Sequence, residues 1–224
     1  VYKRQICGII VGMEPIAYKI RRSRRKTMSL NIERDGSVLV RAPLGTQERT
    51  IEEFISRHRD WLQKKLLEFR PAVLDLSDGA ELVLFGAPYT IGTGRTRIAD
   101  DTVFLPMEGR KEALVRLLKR FTGEVMEMYT RQLARRLGFC VQGVSINSAR
   151  GRWGSCSREG VIHYSFRIAF LPTALVEYIA VHELCHTICF DHSPAFWAQV
   201  ESCLPDWKER RSALKAKSSF MNLL

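Results

Sequence analysis

The sequence predicts an α+β protein, because its strands and helices fall into separate blocks and do not alternate as βαβ units. The 224 residues are 46% hydrophobic and 26% charged, which is typical of a folded globular protein and excludes a disordered one. We expect a smaller β-rich N-terminal lobe over residues 1–106 and a second domain over residues 107–224, which contains an HExxH helix.

The elements of the N-terminal lobe are predicted from turn signals and periodicity. Residues 17–42 contain two candidate strands joined at the dipeptide Asp35-Gly36, which favours a tight hairpin turn. Pro43 closes the second of these strands. Apolar residues then recur at helical spacing from Thr46 to about Phe69, which predicts one helix. Two or three short strands, punctuated by glycines and a proline, are expected within residues 81–105.

The second half opens with a long helical pattern from about Arg110 to Leu137, which Gly138 ends. The segments Val144–Asn147 and Val161–Ile168 are predicted to be strands, with glycine-rich and serine-rich turns between them. The next helix is expected to open at Pro172 and to continue to about Phe190.

Basic residues are concentrated near the start of the chain. The chain has 35 lysine and arginine residues against 24 acidic ones, a net charge of +11. Residues 1–44 alone hold ten basic and three acidic residues, a net charge of +7. Such a lobe attracts polyanions, so weak non-specific nucleic-acid binding is a plausible property of it. A solvated charged surface is the simpler interpretation, because no nucleic-acid motif accompanies the charge.

The sequence predicts a cytoplasmic protein without a membrane partner. No apolar run approaches the ~20 residues of a membrane-spanning helix. The short apolar stretch Ile6–Met13 is broken by Glu14 and Pro15, with no signal-peptide cleavage site after it. Six cysteines are too few for a disulfide framework, so we expect reduced thiols.

The most informative segment is His182-Glu183-Leu184-Cys185-His186, which matches the HExxH pattern. Four residues along a helix rise about 6 Å and turn by about 40°, so both imidazoles can bind one ion. Glu183 lies about 100° from His182, where it can take a proton from a water that the metal activates. Satisfied core histidines are a poorer explanation, because three buried ionisable groups would each need a partner. The pattern predicts one catalytic zinc ion per chain, with His182 and His186 as ligands and Glu183 as general base.

A catalytic zinc needs a third protein ligand, for which the sequence offers three candidates. Cys189 lies about 10 Å along the helix axis from His182, too far for one ion on a straight helix. Glu201 would lie on the following helix, at a shorter spacing than we expect for such a ligand. His192 follows the end of the HExxH helix, just before Ser193-Pro194, which is a signal for a new helix start. We select His192, because the turn between the two helices can fold back onto the metal.

Motifs beyond HExxH resemble a known family. They are Arg152-Trp153-Gly154-Ser155-Cys156-Ser157, the helix start at Pro172, Tyr178-Ile179-Ala180-Val181 before the HExxH motif, and His192-Ser193-Pro194-Ala195-Phe196-Trp197 after it. Arg24–Leu30, Asp35-Gly36 and Val40–Pro43 extend the likeness upstream. Over about residues 17–210, the chain resembles the YgjP-like family of metal-dependent hydrolases, which is similar to the SprT-like zincins.

The resemblance implies a zincin-like catalytic half, with zinc on His182, His186 and His192 and with Glu183 as the base. This chain departs from the family pattern at Ser165-Phe166-Arg167-Ile168, where we expect an Asn-Trp-Arg-Leu-like strand. The asparagine is therefore missing.

Three residues outside the metal motif are candidates for substrate binding. Arg152 and Trp153 would border the cleft if a peptide binds there by adding to a sheet edge. In a purely structural role, Trp153 would anchor a hairpin and Arg152 would neutralise a carboxylate. Tyr164, near the proposed cleft strand, is a candidate oxyanion donor.

Two classes of function follow. The first is a zinc metallopeptidase that hydrolyses a peptide or protein substrate through a metal-activated water and Glu183. The second is a nucleic-acid-associated protein, either a SprT-like protease of DNA-bound proteins or a non-catalytic module with structural zinc. Glu183 favours the first class, because a structural zinc site fills its fourth position with another ligand and has no need of a free carboxylate.

Overall fold

The computed structural model describes residues 3–5, 16–33, 36–68 and 74–224. Some residues that carry sequence predictions lie outside the described ranges: the segment Ile6–Met13 with Glu14 and Pro15, and the single residues Asp35 and Phe69. Within the described ranges, no helix combines the length and the hydrophobicity that crossing a membrane requires.

The chain divides into two compact units, Val1–Pro71 and Ala72–Leu224. The division falls earlier than the boundary expected at residue 106. The strands between residues 81 and 105 pack on the first long helix of the second unit, and this packing explains the difference. Their buried side chains share one apolar cluster with that helix: Leu82, Leu84, Val103, Leu105, Leu114, Leu117 and Leu118.

The first unit contains a four-stranded sheet followed by two helices. The strands lie in the order β1-β2-β4-β3, with β2 parallel and β3 antiparallel to β4. The sheet packs on the helices through one apolar cluster that includes Val40, Ile51 and Leu62. The elements are β1 (Lys3–Gln5), β2 (Tyr18–Ser23), β3 (Ser29–Ile32), β4 (Val38–Pro43), α1 (Glu48–Arg57) and α2 (Arg59–Glu68).

Two details of this unit differ from the sequence prediction. Three strands, and not two, occupy residues 18–43, and the predicted hairpin corresponds to β3 and β4. Gly36 lies in the connecting turn with φ of 78°, a conformation that glycine adopts without strain. The single predicted helix is divided in two at His58, which leaves helical geometry with φ of −108° and ψ of 15°.

The second unit combines two small sheets with four α-helices. One sheet has the order β5-β6-β8-β7 and the other β10-β11-β9, in which β10 is antiparallel and β9 parallel to β11. The strands are β5 (Glu81–Leu84), β6 (Ala87–Thr93), β7 (Arg97–Ala99), β8 (Thr102–Leu105), β9 (Gly143–Asn147), β10 (Gly154–Cys156) and β11 (Val161–Ser165). The helices are α3 (Arg110–Leu137), α4 (Thr173–Cys185), α5 (Pro194–Cys203) and α6 (Trp207–Ala216), with 3-10 helices at Phe166–Phe170 and Ser218–Asn222.

The α+β prediction is confirmed, and several boundaries follow from local chemistry. Helix α3 ends at Gly138, whose φ is 77° and whose N–H donates to the Ala134 carbonyl. Strand β11 ends earlier than predicted, because Ser165 caps a 3-10 helix by accepting a hydrogen bond from the Arg167 N–H. The predicted strand residues Phe166–Ile168 therefore lie in that 3-10 helix.

The departure from the family pattern has a structural account in this chain. Ser165 also donates its hydroxyl hydrogen to the Ala149 carbonyl at 2.7 Å, which ties the end of β11 to the loop before β10. Arg167 is 1% exposed, and its guanidinium donates to the Leu223 and Ser148 carbonyls and to the Leu224 oxygen. These bonds satisfy a guanidinium that would otherwise be costly to bury.

Candidate metal centre

Helix α4 carries His182 and Glu183 on a frame that is packed on most sides. Its buried residues occur at nearly every position, so the helix is held in the core and its polar residues are fixed in place. The helix begins after Pro172, as the sequence predicts. It ends at Cys185, four to five residues before the predicted end, with His186 as its last residue of helical conformation.

A turn after α4 returns the chain to the metal motif. The His186 Nδ1 lies 2.9 Å from the Cys189 carbonyl oxygen, so Nδ1 carries the proton and Nε2 keeps its lone pair. The Asp191 carboxylate accepts a hydrogen bond from the Ser193 N–H at 3.2 Å. Ser193 in turn caps α5 by accepting from the Phe196 N–H, with Pro194 in the first turn. The Cys189 carbonyl thus supports His186, while the Cys189 thiol contacts Asp191 and Ser193 within the same turn.

The three predicted histidines converge. One ring nitrogen each of His182, His186 and His192 lie within 4.8 Å of one another. The Nε2 atoms of His182 and His192 are 3.1 Å apart. Two imidazole nitrogens at this separation need a proton or a cation between them. Within the described residues, no fourth histidine, cysteine or carboxylate completes the cluster.

Aromatic side chains from α5 hold the imidazoles in position. Phe196 is fully buried and stacks on His186, with ring centroids 4.4 Å apart and an interplanar angle of 25°. Trp197 stacks on His192 at 5.6 Å and 28°. Trp207 from α6 stacks on Trp197 at 4.4 Å, which extends the support to a third helix.

The protonation state of His182 suits metal binding. Burial, together with the neighbouring His186 and His192, lowers the pKa of His182 to about 3. Its Nδ1 is buried and has no hydrogen-bond partner among the described residues. A neutral imidazole is the form that binds a metal, and here protons compete weakly for it. A set of three imidazoles therefore fits a divalent ion that prefers nitrogen ligands.

Glu183 lies beside this cluster and is 5% exposed. Burial raises the pKa of Glu183 to about 8, and the Arg152 charge partly opposes that rise. Strand β10 passes directly over the carboxylate. A Cβ atom placed on Gly154 would lie 2.7 Å from Glu183 Oε1 and 2.8 Å from its Cγ. Gly154 therefore provides the space that the Glu183 side chain occupies.

An open cleft of about 400 Å³ adjoins Glu183 and His182. Arg152 and Trp153, both predicted as substrate-binding residues, line it. Tyr164, the third predicted residue, does not: it is 0% exposed and its hydroxyl lies 3.2 Å from the Thr130 hydroxyl in the core. Tyr164 lies on the face of β11 that packs into the core, so its hydroxyl is not available to a substrate in this structure.

The alternative third ligand is also located away from the cluster. Glu201 on α5 is exposed and lies 3.7 Å from the Lys208 ammonium. The sequence does not predict the role of three residues of the site. Gly154 belongs to a family-like motif, but its role as the space for Glu183 comes from the structure. Arg211 and Lys215 line the cleft from α6. The HExxH pattern specifies residues on its own helix, and it carries no information on which later helix closes the cleft.

Comparisons with known proteins identify the family of the chain. The family model of the YgjP-like metallopeptidase domain matches residues 26–217. Among solved structures, the crystal structure of the metallopeptidase zymogen of Pyrococcus abyssi abylysin is 26% identical, with a TM-score of 0.38. The matched part covers 41% of this chain and 93% of that one. None of the curated proteins compared with the chain matches it.

Proposed function

Because the chain belongs to the YgjP-like metallopeptidase family, we propose that it is a zinc-dependent peptidase with Glu183 as its general base. Family membership supports a metal-dependent peptidase. The observation that supports the finer assignment is the arrangement of three imidazoles beside one buried carboxylate that is not part of their cluster. We further propose a cytoplasmic location, which is supported by the free thiols of the described cysteines.

In this proposal His182, His186 and His192 hold one zinc ion. Bound there, the ion supplies Lewis acidity that polarises the scissile carbonyl and acidifies a water. The nitrogen donors favour zinc over magnesium or calcium, which prefer oxygen ligands.

Glu183 takes the proton of the attacking water on its carboxylate and later delivers it to the leaving amine. Its high pKa in a buried site means that the carboxylate holds a proton readily, as the second of these steps requires. A bound metal would add a positive charge nearby and favour the ionised form, as the first step requires. The Gly154 backbone restricts the positions that this side chain can adopt.

A non-catalytic module with structural zinc is less well supported. Such a site has four protein ligands, whereas the described residues place three at this cluster.

Nucleic-acid binding remains a separate proposal for the first unit. There Lys19 and Arg21 lie two residues apart on β2, so they share one face of the strand. Arg21 pairs in register with Arg41 on β4, which adds a third basic residue to the same face of the sheet. We propose that this face gives weak, salt-sensitive binding, as a SprT-like protease of DNA-bound proteins would need.

The test is metal content and proteolysis measured on the same samples. Purified protein is expected to carry about one zinc per chain after reconstitution, and to hydrolyse an unfolded substrate such as casein. His182→Ala and His186→Ala should each lose the zinc and the activity. A wild-type protein that takes up no zinc after reconstitution would refute the site.

A further inference from the structure

The cleft beside Glu183 has an unusual balance of charge. Three basic residues line it, Arg152 from the loop before β10 and Arg211 and Lys215 from α6. The acidic residue among its lining is Glu183 itself, which is buried. All of these residues belong to the second unit. The cleft is therefore a site of net positive charge that opens next to the proposed general base.

Arg211 is placed at the cleft by packing and not by an ion pair. Its guanidinium lies 4.6 Å from the Trp197 ring centroid and 6.0 Å from that of Trp207, over the stacked pair of indoles. Its neighbour Arg210 shows the contrast, because it bonds to Glu177 at 2.8 Å and to Asp206 at 2.9 Å. Arg210 is thus neutralised within the fold, whereas Arg211 has no carboxylate within salt-bridge distance among the described residues.

Arg152 and Lys215 likewise have no salt bridge to any residue in the part of the chain that the structure describes. A guanidinium that lines a cleft without a salt bridge is a ready partner for a carboxylate, which it can bind through two parallel hydrogen bonds. The walls of the same cleft also carry the apolar side chains Trp153, Ile179 and Leu214.

We propose that this cleft selects peptide substrates with a carboxylate close to the scissile bond, and that Arg211 and Arg152 determine that selectivity. The inference rests on the proposed peptidase function and names its substrate class. The carboxylate can come from an aspartate or glutamate side chain or from the C-terminus of the peptide. Both sources present the same group to the same guanidinium fork.

Binding is measured first, without turnover. Zinc-loaded Glu183→Gln protein is titrated with pairs of fluorescent peptides that differ only as glutamate against glutamine at one position, and with free-acid against amidated C-termini. Anisotropy should show about 10-fold tighter binding of the acidic member in at least one pair, and high salt should reduce that difference. The pair that shows the preference identifies the source of the carboxylate.

Variants then assign the preference to residues. Arg211→Gln and Arg152→Gln, each made in the Glu183→Gln background, should bring the two affinities to within about 2-fold of each other. Arg211→Glu should reverse the preference toward a lysine-containing peptide. The matched control is Arg135→Gln, an exposed arginine in the last turn of α3 outside the cleft lining, which should leave the preference unchanged.

Hydrolysis of the same peptides by the enzyme with Glu183 intact separates the two proposals. Equal binding and equal cleavage of acidic and neutral peptides would overturn the inference and leave the peptidase function standing. A preference that depends on Arg211 in a protein that cleaves neither peptides nor casein would keep the cleft chemistry and refute the peptidase. A preference that Arg135→Gln abolishes as fully as Arg211→Gln would refute the assignment to this cleft.

Discussion

Replacing Gly154 by alanine should impair catalysis while leaving the metal bound. The added Cβ would lie 2.7 Å from Glu183 Oε1, 2.8 Å from its Cγ and 2.9 Å from its Cδ. Carbon and oxygen atoms in ordinary contact stay at about 3.4 Å or more, so the carboxyl group must shift by about 0.5–0.7 Å. The close contacts all involve the Glu183 side chain and no backbone atom, so the fold should survive the shift.

The Gly154→Ala substitution is expected to lower the turnover rate. A misplacement of about 1 Å in a catalytic group lowers the rate by about 10²-fold, so a shift of this size predicts a loss of about 10-fold to 100-fold in kcat. The three atoms nearest to the added Cβ all belong to Glu183 and none to a histidine, so zinc content should stay near one per chain. The measurement is kcat on a peptide substrate, with zinc content and the unfolding midpoint determined on the same sample.

Gly143→Ala is the matched control, because Gly143 lies in β9 of the same three-stranded sheet. A Cβ there would lie 3.8 Å from a Val161 methyl, an ordinary contact, so activity should not change. If Gly154→Ala hydrolyses the substrate as fast as wild type, then Glu183 does not act from the position that the structure gives it. If Gly154→Ala loses zinc, the shift reaches the histidines and the separation of the two roles is wrong.

Four further outcomes are expected. Glu183→Gln should keep zinc and stability and lose about 10²-fold or more in turnover, because the amide cannot accept the proton; unchanged hydrolysis would refute the base. His192→Ala should weaken zinc affinity and activity together, whereas Glu201→Ala should change neither; the opposite result in a metal titration would reassign the third ligand. Arg167→Met should lower the free energy of unfolding by about 2 kcal/mol or more in urea denaturation, because the buried Leu223 carbonyl and the part-buried Ser148 and Leu224 oxygens lose a charged donor. Binding of the protein to duplex DNA should fall steeply with log salt, and tight binding that persists at high salt would contradict a purely electrostatic contact.

The sequence predicts the ends of helices well where a single residue determines the local backbone geometry. Gly138 ends α3 because it adopts φ of 77°, and the sequence marks that end directly. Ser193 and Pro194 likewise mark the start of α5. The end of α4 was predicted four to five residues too late, because the apolar pattern continues through Ile188 while the chain leaves the helix to bond His186 to the Cys189 carbonyl. A tertiary requirement overrode a local propensity there.

The candidate site likewise combines features that one segment of sequence determines with features that depend on contacts between segments. The spacing of His182 and His186 is a property of one helix, and it is readable without a structure. The contact between Gly154 and Glu183 joins β10 to α4, and a glycine in a strand indicates only that something approaches closely, without naming it. Arg210 and Arg211 are adjacent and identical in type, yet the first is paired within the fold and the second faces the cleft. Successive residues of a helix point about 100° apart, so only one of the two arginines can face the cleft. Which one does so depends on how α6 packs against the neighbouring aromatic side chains, and the sequence does not show that packing. Specificity in this molecule is therefore expected to depend on Arg211, whose role the sequence does not reveal, together with Arg152, which the sequence does indicate. The metal chemistry is expected to depend on residues that the sequence identifies directly.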